Sequence, residues 1–218
     1  MLDDEGLHAS SVVANCAMNR ERQLAGVNSY ERELGFDPVA WVGAGAGSDT
    51  AWLDLCCGSG RALIQAAARL PEVTLIGVDL VDAFLPVPED SGPALVAAPI
   101  ETWTPPRAFD LITCVHGLHY VGDKLAVLSR IVQWLTPGGR FVADLDLTSV
   151  RRADGEPVGR RLTTQLRAAG LAYDARCRRI SCTGPRELSL PYTYLGADDR
   201  AGPNYTGQPA VHSYYRPA

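Results

Sequence analysis

The fold of this chain is decided by the stretch Trp52-Leu53-Asp54-Leu55-Cys56-Cys57-Gly58-Ser59-Gly60-Arg61. Its first four residues are largely apolar and predict a buried strand, and a helix is predicted over 61–70, just before a proline. Gly58 and Gly60 allow the backbone to turn sharply between the two and to approach a ligand closely. A strand, a glycine turn and a helix in this order present backbone N–H groups to an anionic or polar ligand.

The spacing of the glycines argues against a nicotinamide-binding loop. That fingerprint requires a third glycine three residues after the second, whereas Arg61, Ala62 and Leu63 follow Gly60 here. A plain turn without any ligand is the alternative that this stretch alone leaves open.

Further strands and helices alternate along the chain. Because the runs alternate, they predict an α/β fold with a doubly wound, mostly parallel, seven-stranded sheet. Two strand-like runs at about 172–183 and 187–196 are joined by the short turn Thr183-Gly184-Pro185-Arg186, so they predict an antiparallel C-terminal hairpin. The other predicted elements are strands over 73–80, 94–98, 109–115 and 140–147 and helices over 124–135 and 158–171.

Three features, in order along the chain, resemble the class I S-adenosylmethionine (SAM) methyltransferases. Asp54 with the two glycines resembles the first motif of that family, Asp79 ends the second strand, and Leu135–Phe141 resembles the turn before the fifth strand. Cys56 stands where the family usually has its first glycine. The resemblance covers about 50–196 and implies a Rossmann-like fold, SAM as cofactor and methyl transfer.

The resemblance also implies where the cofactor binds. Asp79 would accept hydrogen bonds from the ribose hydroxyls and Leu80 would lie against the adenine. The acidic residue that the family places near the adenine amine is missing here. Glu101 is predicted to contact the amine instead, and Ile100 is predicted to pack on the other face of the adenine. The predicted cofactor-binding residues are Tyr30, Asp54, Cys56, Gly58, Gly60, Asp79, Leu80, Ile100, Glu101, Val115 and His116.

Candidate catalytic and substrate residues follow the fourth and fifth strands. His116 and His119 are predicted as general bases, with packing as the alternative, because imidazole can take a proton near neutral pH. Asp144 and Asp146 alternate along a strand, so both should point to one face and could bind a substrate ammonium. No further metal ligands are evident, so no metal is predicted. Tyr205 is predicted to fold over the acceptor.

We expect a single domain in three parts. Residues 1–47 form a helical lid with two helices within 8–35, the second capped by Ser29, and 48–197 form the SAM-binding core. The glycine-rich run 42–49 is predicted to be a flexible connection, and 198–218 an irregular tail.

Charge and composition restrict the partners. The net charge is −5, but 1–150 carry a net −10 and 151–186 a net +6. The arginine-rich 151–186 is interpreted as a solvated face or as a surface for an acidic partner. Nucleic acid and membranes are therefore not expected as partners. Six free thiols and the lack of an apolar leader predict a cytoplasmic protein. A homodimer is left open. The alternatives to a small-molecule methyltransferase are an RNA or protein methyltransferase and a SAM-binding protein without methyl transfer.

Overall fold

A computed structural model describes residues 1–14, 22–45, 47, 49–87 and 91–218. Within this part of the chain the helices and strands alternate much as the sequence predicts. The helices are α1 (Asp4–His8), α2 (Ser11–Ala14), α3 (Tyr30–Leu34), α4 (Pro38–Ala44), α5 (Arg61–Ala67), α6 (Lys124–Ile131) and α7 (Arg160–Ala168). The strands are β1 (Ala51–Leu55), β2 (Thr74–Asp79), β3 (Ala94–Ala97), β4 (Phe109–Cys114), β5 (Leu135–Asp144), β6 (Val150–Arg152), β7 (Ala172–Asp174), β8 (Arg179–Thr183), β9 (Tyr192–Asp198) and β10 (His212–Pro217).

Seven of the strands form one sheet in the order β3-β2-β1-β4-β5-β8-β7. The pairs from β3 to β5 are parallel, whereas β8 is antiparallel to both β5 and β7. The mostly parallel, seven-stranded α/β sheet is therefore confirmed. Strand order reverses between β1 and β4, and ligands bind at the carboxyl ends of strands at such a point.

The central strand β1 is buried along its whole length. Successive side chains of a strand face opposite sides, and accordingly Leu53 and Leu55 join one hydrophobic cluster while Trp52 joins the other. Burial on both faces fixes the register of β1 and so fixes the position of the glycine turn that follows it.

The C-terminal part departs from the prediction. Both strands of the antiparallel hairpin, β7 and β8, lie within 172–183, and the second predicted run contributes β9 to a separate sheet. The tail is not irregular, because β10 pairs with β9 and with β6 in that three-stranded sheet. Alternation of apolar residues predicts a strand without naming its partner, which explains both errors.

The N-terminal part also differs in its boundaries. Within the described residues of the lid, the helices are α1, α2, α3 and α4, and the part of the first predicted helix over 15–21 lies outside those residues. Ser29 caps α3 as predicted, with its side chain accepting a hydrogen bond from the Arg32 N–H. The glycine-rich run is partly helical, because α4 extends to Ala44 after Asp37 and Pro38 start it.

The turn before the fifth strand is absorbed into the strand itself. β5 begins at Leu135 and contains Pro137, with an irregular register against β4 between Phe109 and Leu111.

No helix among the described residues has the length and apolar character needed to cross a membrane.

Candidate active site

A cavity opens at the carboxyl ends of the central strands, with about 640 Å³ of empty space that includes some space open to solvent. Eight of the residues predicted to bind the cofactor line the cavity, namely Cys56, Gly58, Asp79, Leu80, Ile100, Glu101, Val115 and His116.

The glycine turn is held to the next strand by Asp79. Its Oδ2 accepts a hydrogen bond of 2.8 Å from the Gly58 N–H, and its Oδ1 accepts one of 3.1 Å from the Val81 N–H. Gly60 follows with a φ of 74° and caps α5, a conformation that suits glycine. The carboxylate is thus fixed in orientation at the cavity wall.

Cys56 stands where the family usually has its first glycine, and its backbone conformation is unusual for a residue with a side chain. Its φ is 55°, in the left-handed region, where an L-residue with a Cβ is strained by roughly 1–2 kcal/mol. Gly117 faces it so closely that an added Cβ would lie 2.3 Å from the Cys56 Cβ. The position therefore has the backbone of a glycine, and the loop after β4 accommodates the extra side chain by placing its own glycine there.

Asp54 lies beneath the cavity and is completely buried. Its two oxygens accept hydrogen bonds of 2.6 Å from the hydroxyls of Tyr30 and Thr113. Tyr30 belongs to α3, so this bond joins the lid to the first motif. Burial is the main reason that the pKa of Asp54 rises to about 7, although both hydrogen bonds oppose the rise.

We expect Asp54 to make the ligand-free protein less stable as the pH rises from about 4 to about 7. A folded-state pKa above the unfolded one means that the folded protein binds more protons in this window, so its free energy of unfolding falls with pH. The slope from one group is at most about 1.4 kcal/mol per pH unit. Melting temperatures of Asp54→Asn should fall less between pH 4.5 and 7.5 than those of the wild type.

The exposed Asp82 supplies the control, because Asp82→Asn should leave the pH dependence of melting unchanged. Parallel melting curves for the wild type and Asp54→Asn across this range would contradict the assignment.

Three titratable side chains meet at the far end of the cavity. His116 Nε2 lies 3.3 Å from Glu33 Oε2 of α3 and 4.0 Å from Asp144 Oδ2 at the end of β5. His116 is 3% exposed, and within the described residues neither of its ring nitrogens has a hydrogen bond of good geometry. Burial raises the pKa of Asp144, whereas His116 keeps the pKa of Glu33 below its usual value.

A second, outer cavity adjoins this cluster. Glu33, His116 and Tyr205 line it together with Arg22 from the lid. His116 lines both cavities and so stands between them.

Tyr205 folds back against the two histidines from the loop between β9 and β10. Its ring centroid lies 6.2 Å from that of His116 and 5.5 Å from that of His119, and the Arg178 guanidinium lies 4.1 Å from the Tyr205 ring centroid. Burial raises the pKa of Tyr205. Arg178 belongs to the arginine-rich segment, so the interpretation of that segment as only a solvated face is incomplete.

Two predicted residues are placed differently from the expectation. β5 ends at Asp144, and Asp146 lies beyond it as the N-cap of a short 3-10 helix, accepting from the Thr148 N–H at 3.0 Å. The two carboxylates therefore have different partners and do not form the predicted pair, because the strand alternation stops before Asp146. His119 is buried behind His116 and does not line the cofactor cavity.

Two residues of the site carry no signal in a single sequence. Glu33 is one of several charged residues on a predicted lid helix, and His8 lies in α1 with its Nε2 3.4 Å from Glu101 Oε2. Both reach the cavities only because the lid packs over the sheet.

Comparison with known proteins supports the resemblance found in the sequence. Residues 53–141 match the family model described as "Methyltransferase domain". The chain is 38% identical over 89 residues to trans-aconitate 2-methyltransferase of Methylobacterium radiotolerans, and the matched segment covers 40% of this chain and 34% of that protein. Over this part of the chain the resemblance to the class I SAM-dependent methyltransferases is confirmed.

Other methyltransferases are similar to the chain in sequence or in fold. The demethylmenaquinone methyltransferase of Deinococcus radiodurans is 29% identical over 146 residues, 64% of this chain and 60% of its own. The solved structure of magnesium protoporphyrin IX methyltransferase from Synechocystis PCC 6803 has a TM-score of 0.56 at 13% identity, covering 84% of this chain and 98% of its own. The latter supports the fold alone.

The chain spans about a third of the length of the trans-aconitate relatives that it matches. The family-model match also begins after Glu33 and ends before Asp144. Glu33, Asp144 and Tyr205 therefore lie outside the matched region, whereas His116 lies within it.

Proposed function

We propose that this methyltransferase transfers the methyl group of SAM to a small-molecule acceptor. The observation that carries the proposal is the cavity at the strand order reversal, where the glycine turn and Asp79 stand together. The names of the relatives add support, since they include methyltransferases for trans-aconitate and demethylmenaquinone. The transfer is a displacement at a sulfonium methyl, which is already activated by its charge, so the protein mainly aligns the two reactants and excludes water.

The cofactor would occupy the 640 Å³ cavity with its ribose at Asp79. A carboxylate is an acceptor-only group with lone pairs beyond those used by Gly58 and Val81, so it can receive both ribose hydroxyls. Leu80 and Ile100 then lie beside the adenine, with Glu101 near its amine. The methionine end would reach Val115 and His116, above the buried Asp54 and Tyr30.

The acceptor would enter from the outer cavity and meet the methyl group at His116. Tyr205 and Asp144 would contact the acceptor there. Asp146 lies further out, where it lines a third cavity together with Tyr205. Of the two candidate bases, His116 is the one that lines both cavities, and His119 supports it through packing, with 5.5 Å between the ring centroids. Both O- and N-methylation fit a site of this mixed charge.

Neither alternative function has a specific observation in its favour. An RNA acceptor would need an extended basic surface, whereas the arginines nearest the site have acidic or aromatic partners, as Arg22 has Glu33 and Arg178 has Asp146 and Tyr205. SAM binding without transfer would use the same cavity. A homodimer stays a prediction from the sequence.

Calorimetry with SAM and S-adenosylhomocysteine tests the cofactor, and we expect saturable binding of both at one site per chain. Incubation with methyl-labelled SAM and a panel of phenols, amines and carboxylic acids then tests transfer. Lack of binding of either nucleoside would overturn the proposal, and binding with no label transferred to any acceptor class would favour the protein without methyl transfer.

A further inference from the structure

We propose that Glu33, His116 and Asp144 form a binding site for a divalent transition-metal ion at the acceptor end of the cavity. The inference rests on the proposed function for its role in catalysis, but not for metal binding itself. It also replaces the sequence-based expectation that the chain binds no metal, which considered Asp144 with Asp146 and could not see Glu33.

The three side chains are of the right kind and come from three separate elements. Two carboxylates and one imidazole reach a common point from α3, from the loop after β4 and from the end of β5. Such a mixed set of oxygen and nitrogen donors suits Mn²⁺, Fe²⁺ or Zn²⁺ better than Mg²⁺, which prefers oxygen ligands and retained water.

The distances between the donor atoms approach those of a metal site. At metal–ligand distances of about 2.1 Å, neighbouring donors lie roughly 3.0–3.4 Å apart and opposite donors about 4.2 Å apart. His116 Nε2 is 3.3 Å from Glu33 Oε2 and 4.0 Å from Asp144 Oδ2, and one ligand atom of each residue lies within 4.8 Å of the other two. An ion between them would require only small movements of the side chains.

The imidazole is available for such an ion. His116 is almost completely buried, and neither ring nitrogen has a hydrogen bond of good geometry among the residues described, which is costly for a buried polar group. The backbone at His116 has a φ of 58°, so the ring projects from an uncommon conformation. A metal bond to Nε2 would satisfy the nitrogen that points toward Glu33.

Outer contacts hold both carboxylates as they do in metal sites. Arg22 Nη1 lies 3.2 Å from Glu33 Oε1 and leaves Oε2 facing His116. The backbone N–H of His116 donates to Asp144 Oδ2 at 3.1 Å. The Arg179 guanidinium donates to the backbone carbonyl of Glu33. Such outer partners orient the ligands of a metal, and their loss typically weakens metal binding by 10–100-fold.

The ion would have open positions toward the outer cavity, where it would bind a hydroxyl oxygen of the acceptor. The hydroxyl proton leaves to water as the metal-bound oxyanion forms. An oxygen lone pair then makes the new O–CH₃ bond, while the electrons of the S–CH₃ bond stay on sulfur and convert the sulfonium into a neutral thioether. His116 holds the ion in this scheme and does not take the proton.

Mn²⁺ titration followed by electron paramagnetic resonance tests the site, after treatment of the full chain with EDTA and removal of the chelator. We expect one Mn²⁺ per chain, displaced by Zn²⁺, and an affinity at least tenfold weaker in Glu33→Gln and in Asp144→Asn. The matched control is Glu31→Gln on the exposed face of the same helix, which should bind as the wild type does. Thermal melts of each variant establish that it is folded.

Two outcomes would overturn the metal site, namely no saturable Mn²⁺ binding up to 1 mM, or equal binding by the wild type and both ligand variants. His116 would then return to the role of general base. Calorimetry with S-adenosylhomocysteine in the presence of EDTA separates this failure from that of the proposed function. Nucleoside binding without metal binding would leave the proposed function intact and overturn the metal site. Metal binding without nucleoside binding would leave the metal site intact and overturn the proposed function.

Discussion

Replacement of Asp79 by alanine is expected to weaken binding of S-adenosylhomocysteine by about a hundredfold or more. A hydrogen bond to a charged group contributes roughly 1.5–3 kcal/mol, and the proposed position of the ribose gives this carboxylate two of them. A loss of about 3 kcal/mol corresponds to a factor of roughly one hundred in the dissociation constant. The same substitution removes the acceptor of the Gly58 N–H, so the glycine turn also loses its bond to the end of β2.

Calorimetric dissociation constants for three variants separate these two effects. Asp79→Asn keeps one oxygen for a backbone N–H but loses the charge, so we expect an affinity between those of the wild type and the alanine variant. Asp82→Ala removes an exposed carboxylate three residues later and should bind as the wild type does. An Asp79→Ala protein whose affinity stays within twofold of the wild type would show that the ribose lies elsewhere.

Replacement of Lys124 by methionine is expected to lower the free energy of unfolding by roughly 2–5 kcal/mol. Lys124 is the only lysine of the chain and is completely buried. Its ammonium donates to the carbonyls of Val121 and Val211 and to the Ser213 hydroxyl, at 2.8–2.9 Å. These bonds join the start of α6 to the last strand, β10.

Methionine fills the space but leaves three buried oxygens without a donor, each at a cost of roughly 1–3 kcal/mol. The loss is partly offset, because methionine carries no charge that must be desolvated. The cost of desolvating the Lys124 ammonium is the reason that burial lowers the pKa of Lys124 to about 7. For a chain of this size the net loss corresponds to a melting temperature lower by roughly 5–15 °C.

Thermal unfolding at neutral pH measures the effect, and Arg167→Met is the matched control. That variant removes a cation from the exposed face of α7 and should change the free energy of unfolding by less than about 0.5 kcal/mol. Ser213→Ala removes one of the three acceptors and should give a smaller loss than Lys124→Met. A Lys124→Met protein that melts within a degree of the wild type would contradict this account of the C-terminal sheet.

The glycine turn and Asp79 could be predicted to lie together because their signals are local. The glycine turn follows directly from a buried strand, and Asp79 ends the next strand, so the topology of a parallel sheet brings them to one edge. The prediction failed where the pairing of strands was involved. Apolar alternation in 187–196 indicated a strand correctly, but its partner β10 lies beyond a loop, and neither periodicity nor spacing identifies a partner.

The acceptor side needed the tertiary structure. Asp144 and Asp146 were predicted to alternate along one strand, but β5 ends at Asp144 and Asp146 caps the 3-10 helix that follows. Glu33 was not predicted at all. It enters the site because Tyr30, one helical turn before it, is held by the buried Asp54, and this contact sets the face that α3 turns toward His116.

The sequence by itself therefore determined the doubly wound sheet, the glycine turn and the acid at the end of β2, since each depends on the order of residues within a few positions. Only the tertiary structure decided that Cys56 takes a left-handed conformation against Gly117, and that Glu33, His116, Asp144 and Tyr205 meet. The physical reason is that these residues are far apart in the chain. Their meeting depends on how the lid and the C-terminal sheet pack on the core, which is set by the shapes of buried surfaces and not by any local pattern.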